Sequence, residues 1–184
     1  MQTLKALATL CDTTLTRGDS DTPISGITLT SSKVEPGDMF AALPGLHVHG
    51  ARFAADAADR GAHAILTDPE GADIIAAAGN DTPALLVVDD VRAVLGTVSA
   101  AIYDHPSDAV PVIGITGTSG KTTTAYLIES AFRTAGHSVG MIGTTGSRIN
   151  GTRVPSSLTT PEAPDLQRLF ATMRDAEVHR IVME

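Results

Sequence analysis

The amino-acid sequence predicts an α/β protein built in two parts, and three observations carry that reading. Short aliphatic runs alternate with segments of helical period along most of the chain, a pattern that favours a sheet with helices packed against it. A glycine-rich turn joins one such run, 112–116, to a helical segment, 121–135. The charge is also divided unevenly: residues 1–106 hold 6 basic and 14 acidic side chains, residues 107–184 hold 7 of each. The natural break lies at Tyr103-Asp104-His105-Pro106-Ser107, where a helical pattern stops at a proline.

Within the first part, Leu4, Leu7 and Ala8 mark a short opening helix. Met39-Phe40-Ala41-Ala42-Leu43 reads as a strand closed by the turn Pro44-Gly45. Residues 53–60 have helical spacing and stop at Gly61. His63-Ala64-Ile65-Leu66-Thr67 and Ala84-Leu85-Leu86-Val87-Val88 read as buried strands, with a small helix at 71–78 between them. Val91, Val94, Leu95, Val98, Ala101 and Ile102 then form a regular helical stripe.

The second part opens on the aliphatic run 112–116. The helix that follows is expected to bury Leu127, Ile128, Ala131, Phe132 and Ala135, and to end at Gly136. Val139-Gly140-Met141-Ile142 is the next strand. Ile149-Asn150-Gly151-Thr152 is a hairpin signal, since Asn-Gly suits the positive φ angles of a type I′ turn. Thr160-Pro161 reads as an N-cap followed by proline at the first helical position, with Leu166, Leu169, Phe170 and Met173 on the buried face. Residues 178–183 read as a last strand. A three-stranded unit stopping there, at Glu184, would leave an uncovered sheet edge, so the chain is expected to be the N-terminal piece of a longer polypeptide.

Composition narrows the function classes. The net charge of −8 disfavours a nucleic-acid binder that works by broad phosphate neutralisation. No run approaches the ~18 apolar residues of a membrane span, and the first ten residues lack a signal-peptide layout. With aromatics at 3%, the core must be aliphatic and rich in alanine. The single cysteine, Cys11, can form no internal disulfide, which fits a reducing, cytoplasmic setting, and it reads as a small buried hydrophobe. A small-molecule partner is expected.

The strongest signal is Gly117-Thr118-Ser119-Gly120-Lys121-Thr122-Thr123, set between a strand and a helix. Glycines let backbone N–H groups turn inward around phosphate oxygens, and a helix N-terminus adds a favourable field for anions. Lys121 can reach the β- and γ-phosphates, and the Thr122 hydroxyl can ligate Mg²⁺. The spacing departs from G-x-x-x-x-G-K-[ST], because Ile115 stands where the first glycine is usual and Gly114 comes one residue early. Such a loop says nucleotide without saying whether the nucleotide is hydrolysed, transfers a phosphoryl group or throws a switch. Two weaker constellations accompany it. His47 and His49 have a spacing that could serve a metal, but lack a third partner. Asp89-Asp90 reads better as a helix cap than as a catalytic pair.

The stretch Thr116-Gly117-Thr118-Ser119-Gly120-Lys121-Thr122-Thr123 resembles the TGTxGKTT signature of the Mur ligases, which build the peptide stem of bacterial cell-wall precursors. The segment from Ser31-Ser32-Lys33-Val34-Glu35-Pro36-Gly37-Asp38 through Met39-Phe40-Ala41-Ala42-Leu43-Pro44-Gly45, followed by His49-Gly50-Ala51-Arg52-Phe53, is similar to the family's DSRxVxPGDLFxALxG…HGxxF segment. Leu158-Thr159-Thr160-Pro161 resembles the LTTP loop of the MurE type, the UDP-N-acetylmuramoyl-tripeptide synthetases, and Val182-Met183-Glu184 the start of MEVSSH. Thr30 and Ser32 depart from the family, which has Asp and Arg there.

The resemblance implies a small mixed α/β uridine-nucleotide-binding domain over 1–106 and, over 107–184, the opening of a mostly parallel P-loop ATPase domain. It implies an ATP- and Mg²⁺-dependent ligase that adds a diamino acid, meso-diaminopimelate or L-lysine, to UDP-N-acetylmuramoyl-L-alanyl-D-glutamate through an acyl phosphate. By motif position, Gly117, Thr118, Ser119, Gly120, Lys121, Thr122 and Thr123 would bind ATP, with Lys121 catalytic. Thr122 and Glu184 would hold the metal. Leu29, Ser31, Leu46, His47 and Val48 would contact the uridine diphosphate, and Thr159 and Thr160 the muramoyl peptide. A turn before Pro36-Gly37 would equally explain Ser31, and plain capping Thr159-Thr160. The alternatives are a nucleotide-binding regulatory module without turnover, and the MurF or folylpolyglutamate branch of the family, against which the Leu158–Pro161 loop speaks. As a piece, the chain is expected not to ligate alone.

Overall fold

The sheets are assembled from short strands whose two faces are both covered by helices. The structure, a computed structural model, describes residues 1–79, 83–154 and 161–184. The chain divides into two compact units, Met1–Asp104 and His105–Glu184.

In the first unit the elements run β1 (Gln2–Thr3), α1 (Leu4–Leu10), β2 (Leu15–Arg17), β3 (Pro23–Ile24), β4 (Gly26–Thr28), β5 (Asp38–Ala41), α2 (Ala54–Asp59), β6 (Ala64–Thr67), α3 (Pro69–Ala78), β7 (Ala84–Val87) and α4 (Val91–Ile102). A five-stranded sheet has the order β2-β7-β6-β5-β4, with β4 to β7 parallel and β2 antiparallel at the edge; β1 and β3 form a separate antiparallel pair. Phe40, Ile65 and Leu85 are register partners on adjacent strands and form one row on a face of the sheet. They pack against Ala51, Ala54, Ala57 and Ile75. These small alanines let the helices sit close over the one buried phenylalanine of this cluster. The strands read as continuous apolar runs because parallel strands bury both faces. Capping follows the sequence: Asp68 accepts from the Gly71 N–H, and Asp90 from the Arg92 and Ala93 N–H groups.

In the second unit the elements are α5 (Pro106–Ala109), β8 (Val112–Gly114), α6 (Lys121–Thr134), β9 (Val139–Gly143), β10 (Gly146–Ile149), β11 (Thr152–Val154), α7 (Ala163–Asp175) and β12 (Arg180–Met183). The sheet order is β11-β10-β9-β12-β8, with β9, β12 and β8 parallel and the β10–β11 hairpin antiparallel. The hairpin turns at Asn150 (φ 51°) and Gly151 (φ 83°), as Asn-Gly predicted. Side chains alternate across the sheet. Ile142 and Ile181 meet Leu169, Phe170 and Met173 of α7, while Val139, Met141 and Val182 meet Ala125, Ile128 and Phe132 of α6.

Several expectations need correction. The last strand is no sheet edge: β12 lies between β9 and β8, in a sheet of five strands rather than three. Hydrophobic periodicity reports strands but not their order, and α7 carries the chain back between two earlier strands. On α6, Leu127 is 66% exposed, and Ala131 and Ala135 are exposed too; the inward face is Ala125, Ile128, Glu129 and Phe132. The buried face is rotated from the apparent apolar stripe and takes in a charged residue, Glu129, four residues before Arg133, its ion-pair partner at 4.0 Å. Helix α7 starts at Ala163, with Pro164 in its first turn, so Pro161 precedes the helix; Thr160 lies outside the described residues. Cys11 is half-buried at the end of α1, and burial pushes its thiol pKa up. Among the described residues no helix is long and apolar enough to cross a membrane.

Candidate functional site

In the second unit, chemistry gathers at the carboxyl ends of β8, β12 and β9. The Ile115 N–H still donates to the Met183 carbonyl (2.8 Å), and beyond it the chain leaves the sheet as an exposed loop to Gly120. Gly120 has φ 77° and stands at the N-cap of α6, with no side chain capping the helix. Open space surrounds it, so the glycine is required by its backbone conformation rather than by crowding. Where α3 and α4 are closed by aspartate side chains, the N-cap of α6 is a glycine that supplies none, the arrangement that suits an anion. Lys121 folds back over the loop, its Nζ donating to the Gly117 carbonyl at 2.7 Å.

Glu184, directly after β12, reaches this loop. Its Oε2 accepts from Thr122 Oγ1 at 2.7 Å, and its Oε1 accepts from Thr144 Oγ1 at 2.6 Å and from the Thr144 N–H. The Thr144 hydroxyl, then the Thr144 backbone, Thr122 and the charge of Lys121, hold the Glu184 carboxyl below its usual range against the opposing effect of burial. An ionised carboxylate and a hydroxyl 2.7 Å apart are hard oxygen donors. They fit Mg²⁺, which takes one or two protein oxygens and completes its shell with water and phosphate. A hollow of about 490 Å³ in this unit is lined by Tyr126, Glu129, Arg133 and Arg148, and by none of the expected nucleotide residues.

In the first unit, the residues expected at the uridine nucleotide follow the carboxyl ends of two adjacent parallel strands. Leu29 and Ser31 come after β4; Leu46, His47 and Val48 come after β5. That is where open parallel sheets bind ligands. Leu29 is half-buried, and Ser31 opens a 3₁₀ turn, Ser31–Lys33, while its hydroxyl hydrogen-bonds Asp56 of α2. Leu46 is 99% exposed and Val48 49%, an apolar loop tip held out in solvent. His49 anchors that loop. Its Nδ1 accepts from the Ala51 N–H, so the proton sits on Nε2, which donates to Asp68 Oδ1 at 3.0 Å. With both nitrogens engaged, His49 is not free to share a metal with His47. Thr159 and Thr160 lie outside the described residues.

Two members of these sites escape sequence reasoning. The His49–Asp68 clamp was half legible, since Asp68-Pro69 is a helix-start signal. Thr144 sits in Gly143-Thr144-Thr145-Gly146, which by itself reads as an ordinary turn.

A family model for the Mur ligase middle domain matches residues 115–184, and one for the Mur ligase catalytic domain matches residues 23–103. The UDP-N-acetylmuramoyl-L-alanyl-D-glutamate–2,6-diaminopimelate ligase of Corynebacterium glutamicum is 55% identical over 162 residues, which cover 88% of this chain and 31% of that protein. The chain thus spans about a third of the length of the curated relatives it matches. A solved structure of a ligase of the same name is similar with a TM-score of 0.74 at 24% identity, over 97% of this chain and 35% of that one. The MurF ligase of Thermotoga maritima in complex with ADP has a TM-score of 0.56 at 21% identity, over 88% and 31%. Both likenesses speak for the fold.

Proposed function

The chain belongs to the Mur ligase family, and from that premise we propose that it supplies the sugar-nucleotide-binding part and the phosphate loop of a MurE-type ligase. The reaction is ATP-dependent addition of a diamino acid to UDP-N-acetylmuramoyl-L-alanyl-D-glutamate. The relatives named above favour diaminopimelate over lysine as the acceptor.

The chemistry needs two anions brought together. The γ-carboxylate of the D-glutamyl residue attacks the γ-phosphorus of ATP, ADP leaves, and the resulting acyl phosphate is attacked by the amine, releasing phosphate. A carboxylate is a poor electrophile until its oxygen becomes part of a phosphate leaving group. Charge repulsion is the main obstacle, so fixed dipoles and cations must offset it. Free N–H groups at the start of α6 bind the phosphate tail, and Lys121 leaves the Gly117 carbonyl to neutralise the β,γ-oxygens. Thr122 and Glu184 would hold Mg²⁺, which supplies positive charge at those oxygens. Leu29, Ser31, Leu46, His47 and Val48 bind the uridine diphosphate, and Thr159 and Thr160 the muramoyl peptide.

The observation that carries this reading is the convergence of Lys121, Thr122 and Glu184 at an exposed, uncapped helix start. Calorimetric titration tests it: Mg·ATP and UDP should each bind, and Lys121→Ala should abolish the first while sparing the second. Failure of both ligands to bind the unaltered chain refutes the proposal. Incubated with the muramoyl dipeptide, ATP and diaminopimelate or lysine, the 184-residue chain alone should yield no amide.

A further inference from the structure

We infer that Thr144 is a positioning residue, holding the Glu184 carboxylate in the orientation that receives the divalent cation. This rests on the function proposed above. Glu184 comes from one strand end and Thr122 from a helix 62 residues earlier, so nothing in either segment by itself fixes how the carboxylate faces the hydroxyl. Thr144, the first residue beyond β9, does. Its N–H and Oγ1 both donate to Oε1, leaving Oε2 turned to Thr122. Its hydroxyl also lies 3.4 Å from Thr122 Oγ1, so the three side chains form one connected group.

The preceding residue is shaped to the same end. A Cβ built at Gly143 would come within 2.5 Å of Glu184 Oε1 and 2.7 Å of its Cγ, so any side chain there would push the carboxylate aside. The end of β9 therefore both makes room for the glutamate and grips one of its oxygens. A flexible carboxylate must surrender its rotamers when it ligates a cation. One already tied at Oε1 has done so beforehand, and the cation meets a pre-set Oε2. Thr144 needs no contact with the ion to act in this way.

A merely structural threonine would affect stability, or nucleotide binding in general. A positioning one affects only the cation-dependent share. The test is the affinity of the chain for ADP, measured by calorimetry with Mg²⁺ and again with EDTA. Thr144→Val, which keeps the shape and the N–H but deletes the hydroxyl, should weaken ADP binding about 5- to 30-fold with Mg²⁺ and leave the EDTA value unchanged. Thr144→Ser should restore the Mg²⁺ value to within about twofold, which also excludes misfolding as the cause. Equal loss in both conditions, or no loss with Mg²⁺, overturns the role of Thr144 alone. If the unaltered chain binds ADP no better with Mg²⁺ than without, the functional reading fails and the role of Thr144 falls with it.

Discussion

Replacing Gly71 with alanine should loosen the first unit at the point where α3 meets the anchored loop. Gly71 lies in the first turn of α3, and a Cβ there would fall 2.0 Å from Thr67 Oγ1, 2.7 Å from His49 Cε1 and 3.2 Å from Ala51 Cβ. None of these is the loose end of a flexible chain. Thr67 is fully buried and donates to the Ala42 carbonyl at 3.1 Å, and the His49 ring is fixed at both nitrogens. Alanine is a better helix former than glycine by up to about 1 kcal/mol, which favours the variant. Overpacking costs about 1–3 kcal/mol, and relieving it by moving the helix breaks a buried hydrogen bond worth about 1–3 kcal/mol more. The costs win, for a net loss of about 2–4 kcal/mol. Urea unfolding, followed with UDP binding as a second readout, should show a lower midpoint at unchanged slope. Adding Thr67→Ala removes the nearest clashing atom, so the two changes should couple by more than about 1 kcal/mol in a double-mutant cycle. A Gly71→Ala chain as stable as the original, or strictly additive effects, would refute the reasoning.

Other outcomes follow from the same geometry. The Ser31 hydroxyl, followed by Arg60, holds the Asp56 carboxyl below its ordinary value of 3.8. Because the folded-state value is the depressed one, this small contribution to stability is present above pH 3.8 and fades as pH falls through the folded value; Ser31→Ala should move the Asp56 titration, read by NMR, back upward. Met173→Ala, at a fully buried position, should cost about 2–5 kcal/mol. Leu127→Ala, at a position 66% exposed, should cost less than about 0.5 kcal/mol, and a larger loss in thermal unfolding would mean that α6 faces the other way. Asp90→Ala, which strips the cap from α4, should cost about 1 kcal/mol in the same assay.

What could be read from the sequence was whatever is local. The stripe from Val91 to Ile102, the Asp90 cap and the Asn150-Gly151 turn each carry their own chemistry within a few residues, and each stands where expected. The four opening strands did not show, because two or three residues are too few to reveal a period. The face of α6 was misread for a different reason: hydrophobicity points to Leu127, whereas packing buries the charged Glu129 beside Ile128. The glycine-rich loop leading into α6 was legible because Gly117, Gly120 and Lys121 lie within five residues of one another. The grip on Glu184 was not, since Thr144 becomes its partner only when β12 settles beside β9.

The place of β12 also sets the order in which the second unit can be completed during translation. Among the described residues β8 pairs with no strand except β12, and β9 meets β8 only through it. A nascent chain emerging at about 5–20 residues per second therefore carries β8 and the loop after it unpaired until β12 has left the ribosome. β12 brings Glu184 with it, so the hydrogen bonds that tie Glu184 to Thr122 and Thr144 form only once that strand has docked.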